Sequence, residues 1–200
     1  TKYPQGGERT LIYAVTGREI NSSMLPADAG CIVDNVETIC SIYDAVALGR
    51  PIMKRIFTVT GKGINRPAHE VCTGTDMAEL IDAAGGLKEH AGKVISGGPM
   101  MGFAMYDLHV PCVKTSSSLL CMQSDPVSDA KEEETACINC GRCVRVCPGR
   151  VLPARLATLA ERGDMAGFEK LNGMECCECG CCSYVCPAKR PLTQSIKSMR

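Results

Sequence analysis

Two stretches near the C-terminus repeat one spacing. They read Cys137-Ile-Asn-Cys140-Gly-Arg-Cys143-Val-Arg-Val-Cys147-Pro148 and Cys176-Cys-Glu-Cys179-Gly-Cys-Cys182-Ser-Tyr-Val-Cys186-Pro187, and both are C-x2-C-x2-C-x3-C-P. Two residues between thiols let three sulfurs converge within a short loop while its peptide N–H groups turn inward. The fourth cysteine, followed by proline, is directed to a neighbouring centre. This arrangement suits the tetrahedral corners of a 4Fe-4S cubane. Zinc takes four thiolates from two C-x2-C pairs, which explains neither the third cysteine at x2 nor the x3-C-P that follows. Two copies imply crossed ligation. Cluster I is then assigned to Cys137, Cys140, Cys143 and Cys186, and cluster II to Cys176, Cys179, Cys182 and Cys147. Gly141 and Gly180 keep each loop free of a Cβ where it is tightest.

The chain has 15 cysteines, an odd number that cannot all pair within one molecule. Ten of them lie in the last third, among them the adjacent pairs Cys176-Cys177 and Cys181-Cys182, which suit disulfide geometry badly. A reducing compartment fits this usage. Cys177 and Cys181 fit no register of the complete spacing and read as free thiols beside the second cluster. Cys31, Cys40, Cys72, Cys112 and Cys121 share no spacing pattern and are expected to be small core residues.

Lysine plus arginine (22) equals aspartate plus glutamate (22), and there are five Tyr, three Phe and no Trp, so neither a basic footprint nor a stacking platform for nucleic acid is evident. No apolar run approaches the roughly 18 residues that span a bilayer, and the first residues carry no secretory segment. The chain opens on Thr1 rather than methionine, and it reads as a piece of a longer polypeptide.

The remaining pattern predicts an α+β chain of three segments, 1–50, 51–125 and 126–200. The first is loop, helix, loop, helix, the second helix following Asn35 and ending at Gly49 and Pro51. Alternation over 52–59 predicts a strand, a turn through Asn65-Arg66-Pro67 leads to a second strand over 69–73, and Asp76 is placed to cap a helix that Gly85-Gly86 stops. Strands are expected over 93–96 and 110–120, with a plain glycine-rich turn over 97–102 between them. Residues 125–134 read as a solvated linker. Two short helices, over 153–162 and 165–171, lie between the cysteine motifs. His69, His90 and His109 stand alone, with no acid or nucleophile motif, and no residue is assigned a catalytic role.

With CGCCSYVCPAKRPLTQ at the second motif, KYPQGGERTLIYAVTGRE at the start, RIFTVTGKGINRP in the middle and KVISGGPMMG after it, the chain resembles the C subunits of Rnf-type ion-translocating electron transport complexes. The stretch Asp34-Asn35-Val36-Glu37-Thr38 and the later GTDMAELIDAAGGL are also similar to the flavin-bearing subunit of respiratory complex I. The resemblance implies a helical remnant of a flavin and nucleotide domain, then a β-grasp (SLBB-like) domain, then a helical two-cluster ferredoxin domain. It further implies FMN and NADH in the full-length subunit, with Tyr3, Gly7, Glu8 and Asn35 as remnants of that pocket. Single electrons would pass through the two 4Fe-4S clusters to other subunits, among them the ferredoxin-like B subunit and membrane subunits. Ferredoxin and NAD(H) would serve a complex that pumps Na+ or H+, and this subunit would lie peripherally on the cytoplasmic face of the bacterial inner membrane. A cobalamin reductase of bacterial microcompartments is similar in domain order. A non-redox interaction module stapled by metal is the alternative of a different class. Lys189, Arg190, Lys197 and Arg200 make the tail basic and are expected to be solvated charges.

Overall fold

The computed structural model describes residues 3–64, 70–88 and 91–200. It divides into two compact units, Thr1–Asp34 together with Asp129–Arg200, and Asn35–Ser128. His69, His90 and the Asn65-Arg66-Pro67 turn lie outside the described residues.

The Asn35–Ser128 unit begins with helix α2 (Val36–Leu48), preceded in the chain by α1 (Glu8–Thr16) of the other unit. Asn35 caps α2 by accepting the Glu37 N–H at 2.9 Å, and Gly49 ends it in the left-handed conformation. The strand expected over 52–59 is two strands in two sheets. β1 (Lys54–Ile56) pairs antiparallel with β3 (Glu70–Cys72), and β2 (Thr58–Thr60) pairs parallel with β6 (Ser118–Met122). The break follows from burial: Phe57 and Val59 are both fully buried, whereas Ile56 is 71% exposed. The larger sheet has the order β2-β6-β4-β5, where β4 is Lys93–Ser96 and β5 is Phe103–Ala104. Helix α3 (Met77–Ala83) contributes Met77, Leu80 and Ile81 to a core that also holds Val71, Leu119 and Cys121.

The strand expected over 110–120 is confined to β6. Upstream of it the backbone pairs away from the sheet: the carbonyls of Val110 and Leu108 accept the Met77 and Ala78 N–H groups at the start of α3, at 3.0 and 3.1 Å, and Pro111 makes an isolated antiparallel bridge with Asp76. The polar stretch expected as a linker contains helix α4 (Pro126–Glu132). Asp125 Oδ1 starts it by accepting the N–H groups of Val127 and Ser128 at 3.1 and 3.2 Å. Asp125 also pairs with Lys93.

In the other unit the C-terminal region is an internal repeat in which a residue of the first copy matches the one 39 positions later. Helices α5 (Arg142–Arg145) and α6 (Pro153–Glu161) of the first copy correspond to α8 (Cys181–Tyr184) and α9 (Leu192–Lys197) of the second. α5 packs on α8, and α6 on α9. Backbone conformation repeats as well. Asn139 and Glu178 have φ of 54° and 52°, Gly141 and Gly180 have 69° and 79°, and Arg150 and Lys189 have 52° and 54°. Helix α7 (Met165–Lys170) lies between the copies, and its Phe168 is fully buried with Leu156, Leu192 and Ile196.

Residues 1–34 fall in the unit that holds the cysteine-rich region, and 35–50 in the unit that holds the sheets. Among the described residues no helix is long and apolar enough to cross a membrane.

Candidate metal centres

Each motif makes the same local path. Its first two cysteines flank a left-handed residue, Asn139 or Glu178, and a left-handed glycine follows at the N-cap of a one-turn helix. The third cysteine lies in that helix and the fourth just beyond it. This path bends the loop around a centre, which only a residue with positive φ allows at two successive corners.

The result is two cavities. One, of about 180 Å³, is lined by Cys137, Cys140 and Cys143 from the first motif and by Cys186 from the second. The other is tighter, about 10 Å³, and is lined by Cys176, Cys177, Cys179, Cys181 and Cys182 from the second motif and by Cys147 from the first. Ile138, Val144, Leu152 and Leu192 line the former, and Val151, Pro153 and Ile196 the latter, so both are largely apolar around their thiols. Among the described residues, no group of three or more His, Cys, Asp or Glu side chains is gathered closely enough to hold a single metal ion. Each cavity gathers its four regularly spaced cysteines in a largely apolar wall, the second with Cys177 and Cys181 besides, and such thiol donors fit an iron–sulfur cubane.

Hydrogen bonds reach several of these sulfurs. Glu178 N–H points to Cys176 Sγ at 3.4 Å, and Thr193 Oγ1 lies 3.3 Å from Cys182 Sγ. Thr193 is held by its own N–H, which donates to Ser183 Oγ at 2.9 Å, and by the Ser183 hydroxyl at 3.0 Å. Burial pushes the Cys147, Cys176 and Cys182 thiols above the ordinary cysteine value, and neighbouring cysteines add to the effect. For Cys147, backbone N–H groups of Val151, Gly149 and Arg150 oppose it. Thiols buried in this way release their protons when a metal takes their place.

Cys177 is exposed and Cys181 half-buried, and both, read from sequence as bystanders, also line the second cavity. Burial raises the Cys181 thiol to about 11, with Cys179 the next cause. Of the cysteines expected in cores, Cys112 and Cys121 are buried, but Cys40 and Cys72 are exposed. Those two sit on the open side of α2 and at the outward-facing end of β3, positions that a sequence without spacing pattern does not reveal. His109, read as isolated, lies 3.2 Å from the Asp76 carboxylate. Three charges of the basic tail are tied rather than free: Arg190 pairs with Glu161, and Arg200 and Lys197 with Glu178.

The four residues assigned by resemblance to a flavin pocket divide between the units. Tyr3, Gly7 and Glu8 belong to the cysteine-rich unit and Asn35 to the other. Gly7 is the N-cap of α1, Glu8 is its first residue, and the Asn35 amide oxygen caps α2. The Tyr3 hydroxyl donates to the Cys179 carbonyl at 2.6 Å. Two further contacts tie residues 1–34 to the second motif. Arg9 Nη1 pairs with Glu175 Oε2 at 2.8 Å, and Ser22 donates to Glu175 through its hydroxyl at 2.6 Å and its N–H at 3.1 Å. Burial alone would raise the Glu175 carboxyl, but Ser22 and Arg9 outweigh it and hold it below the usual range. Sequence reading missed Glu175, Ser22 and Thr193. The repeat offset could have flagged Thr193 as part of the helix after the second motif, but no local pattern marks the other two.

Known families match the chain in three consecutive parts. Residues 1–44 match the Nuo51 FMN-binding domain, 56–104 the SLBB domain and 136–189 the 4Fe-4S dicluster domain. Fold and cysteine geometry thus define an α+β iron–sulfur protein in which an SLBB domain precedes a two-cluster domain of ferredoxin type. The chain is 46% identical over its whole length to the C subunit of the proton-translocating ferredoxin:NAD(+) oxidoreductase complex of Clostridium ljungdahlii. It is 46% identical over 98% of its length to the C subunit of the Na(+)-translocating ferredoxin:NAD(+) oxidoreductase complex of Acetobacterium woodii, and 42% over 98% to the C subunit of the ion-translocating oxidoreductase complex of Rhodobacter capsulatus. Over the part that it spans, the chain belongs to this family of C subunits. That part is 44% of the first two relatives and 38% of the third.

Proposed function

We propose that this chain is the electron-relaying part of the C subunit of a membrane-bound ferredoxin:NAD oxidoreductase that moves Na+ or H+. The observation that carries the reading is the pair of cavities, each of which brings the three spaced cysteines of one motif together with the last cysteine of the other. Cys137, Cys140, Cys143 and Cys186 hold cluster I, and Cys176, Cys179, Cys182 and Cys147 hold cluster II. When bound, each 4Fe-4S cluster supplies a one-electron acceptor of low potential. The chain's own work is to fix the sulfurs, exclude water with Val151, Leu152, Pro153 and Ile196, and aim Glu178 N–H and Thr193 O–H at sulfur. No side chain acts as a general acid or base.

The functional segments are 1–50 for the flavin and NADH domain, 51–125 for the SLBB domain and 126–200 for the clusters. FMN and NADH bind in the full-length subunit, with Tyr3, Gly7, Glu8 and Asn35 contributing. The contacts of Tyr3 with Cys179, and of Arg9 and Ser22 with Glu175, join the flavin-family segment to the second motif, which supports cluster II as the side on which electrons exchange with flavin. The partners of this chain in the complex, the ferredoxin-like B subunit and membrane subunits, accept from cluster I. The subunit lies peripherally on the cytoplasmic face of the membrane.

The test is anaerobic determination of iron and acid-labile sulfide with a reductive titration. The result expected is about eight irons and about two electrons taken up per chain. A colourless, iron-free protein that takes up none overturns the reading.

A further inference from the structure

An open groove of about 660 Å³ runs where α5 meets α8, over the return of both cysteine motifs. Its rim carries Arg142 and Arg145, three residues apart on α5 and therefore on one side of it, and Lys189. All three are exposed, and among the described residues no acidic one lines the groove and none of the three has an ion pair. Nearby cations behave differently: Arg9, Arg190, Lys197 and Arg200 are each paired with a glutamate. Three unpaired cations at one edge repel one another, and this costs stability that an anionic partner would recover. The groove is also lined by Val146 and Val185, equivalent in the repeat, and by Tyr184, which is 81% exposed. Cys186, the proposed fourth ligand of cluster I, lines both this groove and the first cavity.

We infer that this groove is the docking site of an acidic, single-electron-carrying protein. The inference rests on the function proposed above, because Cys186 gives the groove its electrical connection. Charge complementarity selects the partner: the cations capture a carboxylate-rich surface and steer encounter, while Val146, Val185 and Tyr184 supply apolar area that a docked partner would cover. An exposed aromatic beside arginines is also the composition expected of a binding anchor. The small interface fits the weak, transient encounters typical of redox partners.

The test uses the anaerobically prepared full chain, with an acidic two-cluster bacterial ferredoxin as the probe. Binding is measured by calorimetry with both proteins oxidised, and electron exchange by stopped flow. The triple variant Arg142→Glu, Arg145→Glu, Lys189→Glu is compared with Lys131→Glu, Arg162→Glu, Lys170→Glu, which changes the net charge equally at exposed positions elsewhere. The result expected is affinity and exchange rate lowered at least about tenfold at low salt in the first variant, with loss of the salt dependence, and a change within about twofold in the second. Tyr184→Ala should weaken binding while leaving the salt dependence intact. Equal effects of the two triple variants, or no effect of the first, overturn the inference. So does loss of binding to vesicles containing anionic lipid with ferredoxin exchange unchanged, which would make the groove a membrane contact. Iron content and electron uptake of each variant keep the two readings apart. Clusters that load and reduce normally, with ferredoxin exchange unaffected, sink the groove alone. Absence of clusters sinks the relay.

Discussion

The hydroxyl of Tyr3 and the carbonyl of Cys179 are joined by a 2.6 Å hydrogen bond across 176 residues of chain. That contact fastens the N-terminal segment to the loop proposed to hold cluster II, at the peptide that also carries the second of its thiols. Burial raises the Tyr3 phenol above its ordinary value, and the Cys179, Cys181 and Cys177 thiols add to this, so the hydroxyl stays a proton donor throughout the physiological range.

Tyr3→Phe keeps the ring and removes the donor. Loss of one such bond at a partly exposed site is expected to weaken docking of residues 1–34 by about 1 kcal/mol. Amide hydrogen exchange in α1 should quicken, while iron content stays unchanged. Unaltered exchange would mean that Arg9 and Ser22 alone hold the segment.

Crossed ligation predicts opposite lesions. Cys147→Ser should disturb the electron-spin signal of the cluster held mainly by 176–182, and Cys186→Ser that of the cluster held by 137–143, each with loss of up to about four irons per chain. If each variant instead damaged the cluster of its own motif, the pairing proposed here would be wrong.

Thr193→Val removes a hydroxyl 3.3 Å from Cys182 Sγ without changing shape much. A hydrogen bond to thiolate stabilises the reduced, more negative cluster, so its loss should lower the potential of cluster II and leave cluster I unmoved. Spectroelectrochemical titration of the two signals decides this. A shift of both clusters together would point to a general loosening of the fold.

Gly61 has φ of 117°, and a Cβ built there would lie 2.1 Å from the Cys121 carbonyl oxygen. Gly61→Ala must therefore push β6 away from the turn after β2, at a cost of about 2 kcal/mol or more. Denaturation should show the loss in the Asn35–Ser128 unit, with cluster loading intact.

Glu37 accepts from Arg55 at 2.6 Å and from the Ile56 N–H at 3.1 Å, and the Arg55 guanidinium holds its carboxyl below the usual range despite some burial. A carboxyl lowered in the folded state adds stability that is fully present above the unfolded value of about 4.3 and is lost as pH falls through the folded value. Glu37→Gln should thus destabilise the sheet unit at neutral pH by about 1 kcal/mol or less and flatten its acid limb between about pH 5 and 3. Asp125, likewise lowered by Lys93, accounts for part of the slope that persists. A variant with an unchanged acid limb would refute the assignment to Glu37.

Much of this protein was readable from residue order because its strongest signals are local. The two cysteine loops, the caps at Asn35 and Asp76, and the helices α6 and α7 depend on neighbours within a few residues, and such short-range geometry is written in spacing and side-chain type. The strand pattern over 52–59 was legible in its parity, for Phe57 and Val59 are the buried members, yet its division between two sheets was not. That division depends on β3 and β6, whose partners lie distant in the chain. The same limit hid the end of the 110–120 strand, where carbonyls serve α3, and the exposure of Cys40 and Cys72. Tertiary structure alone decided that residues 1–34 join the cysteine-rich region through Tyr3, Arg9 and Ser22, and that Arg142, Arg145 and Lys189 meet at one unpaired edge. Contacts between distant residues are chosen by which surfaces can be buried together, a property of the folded whole that no spacing in a single chain records.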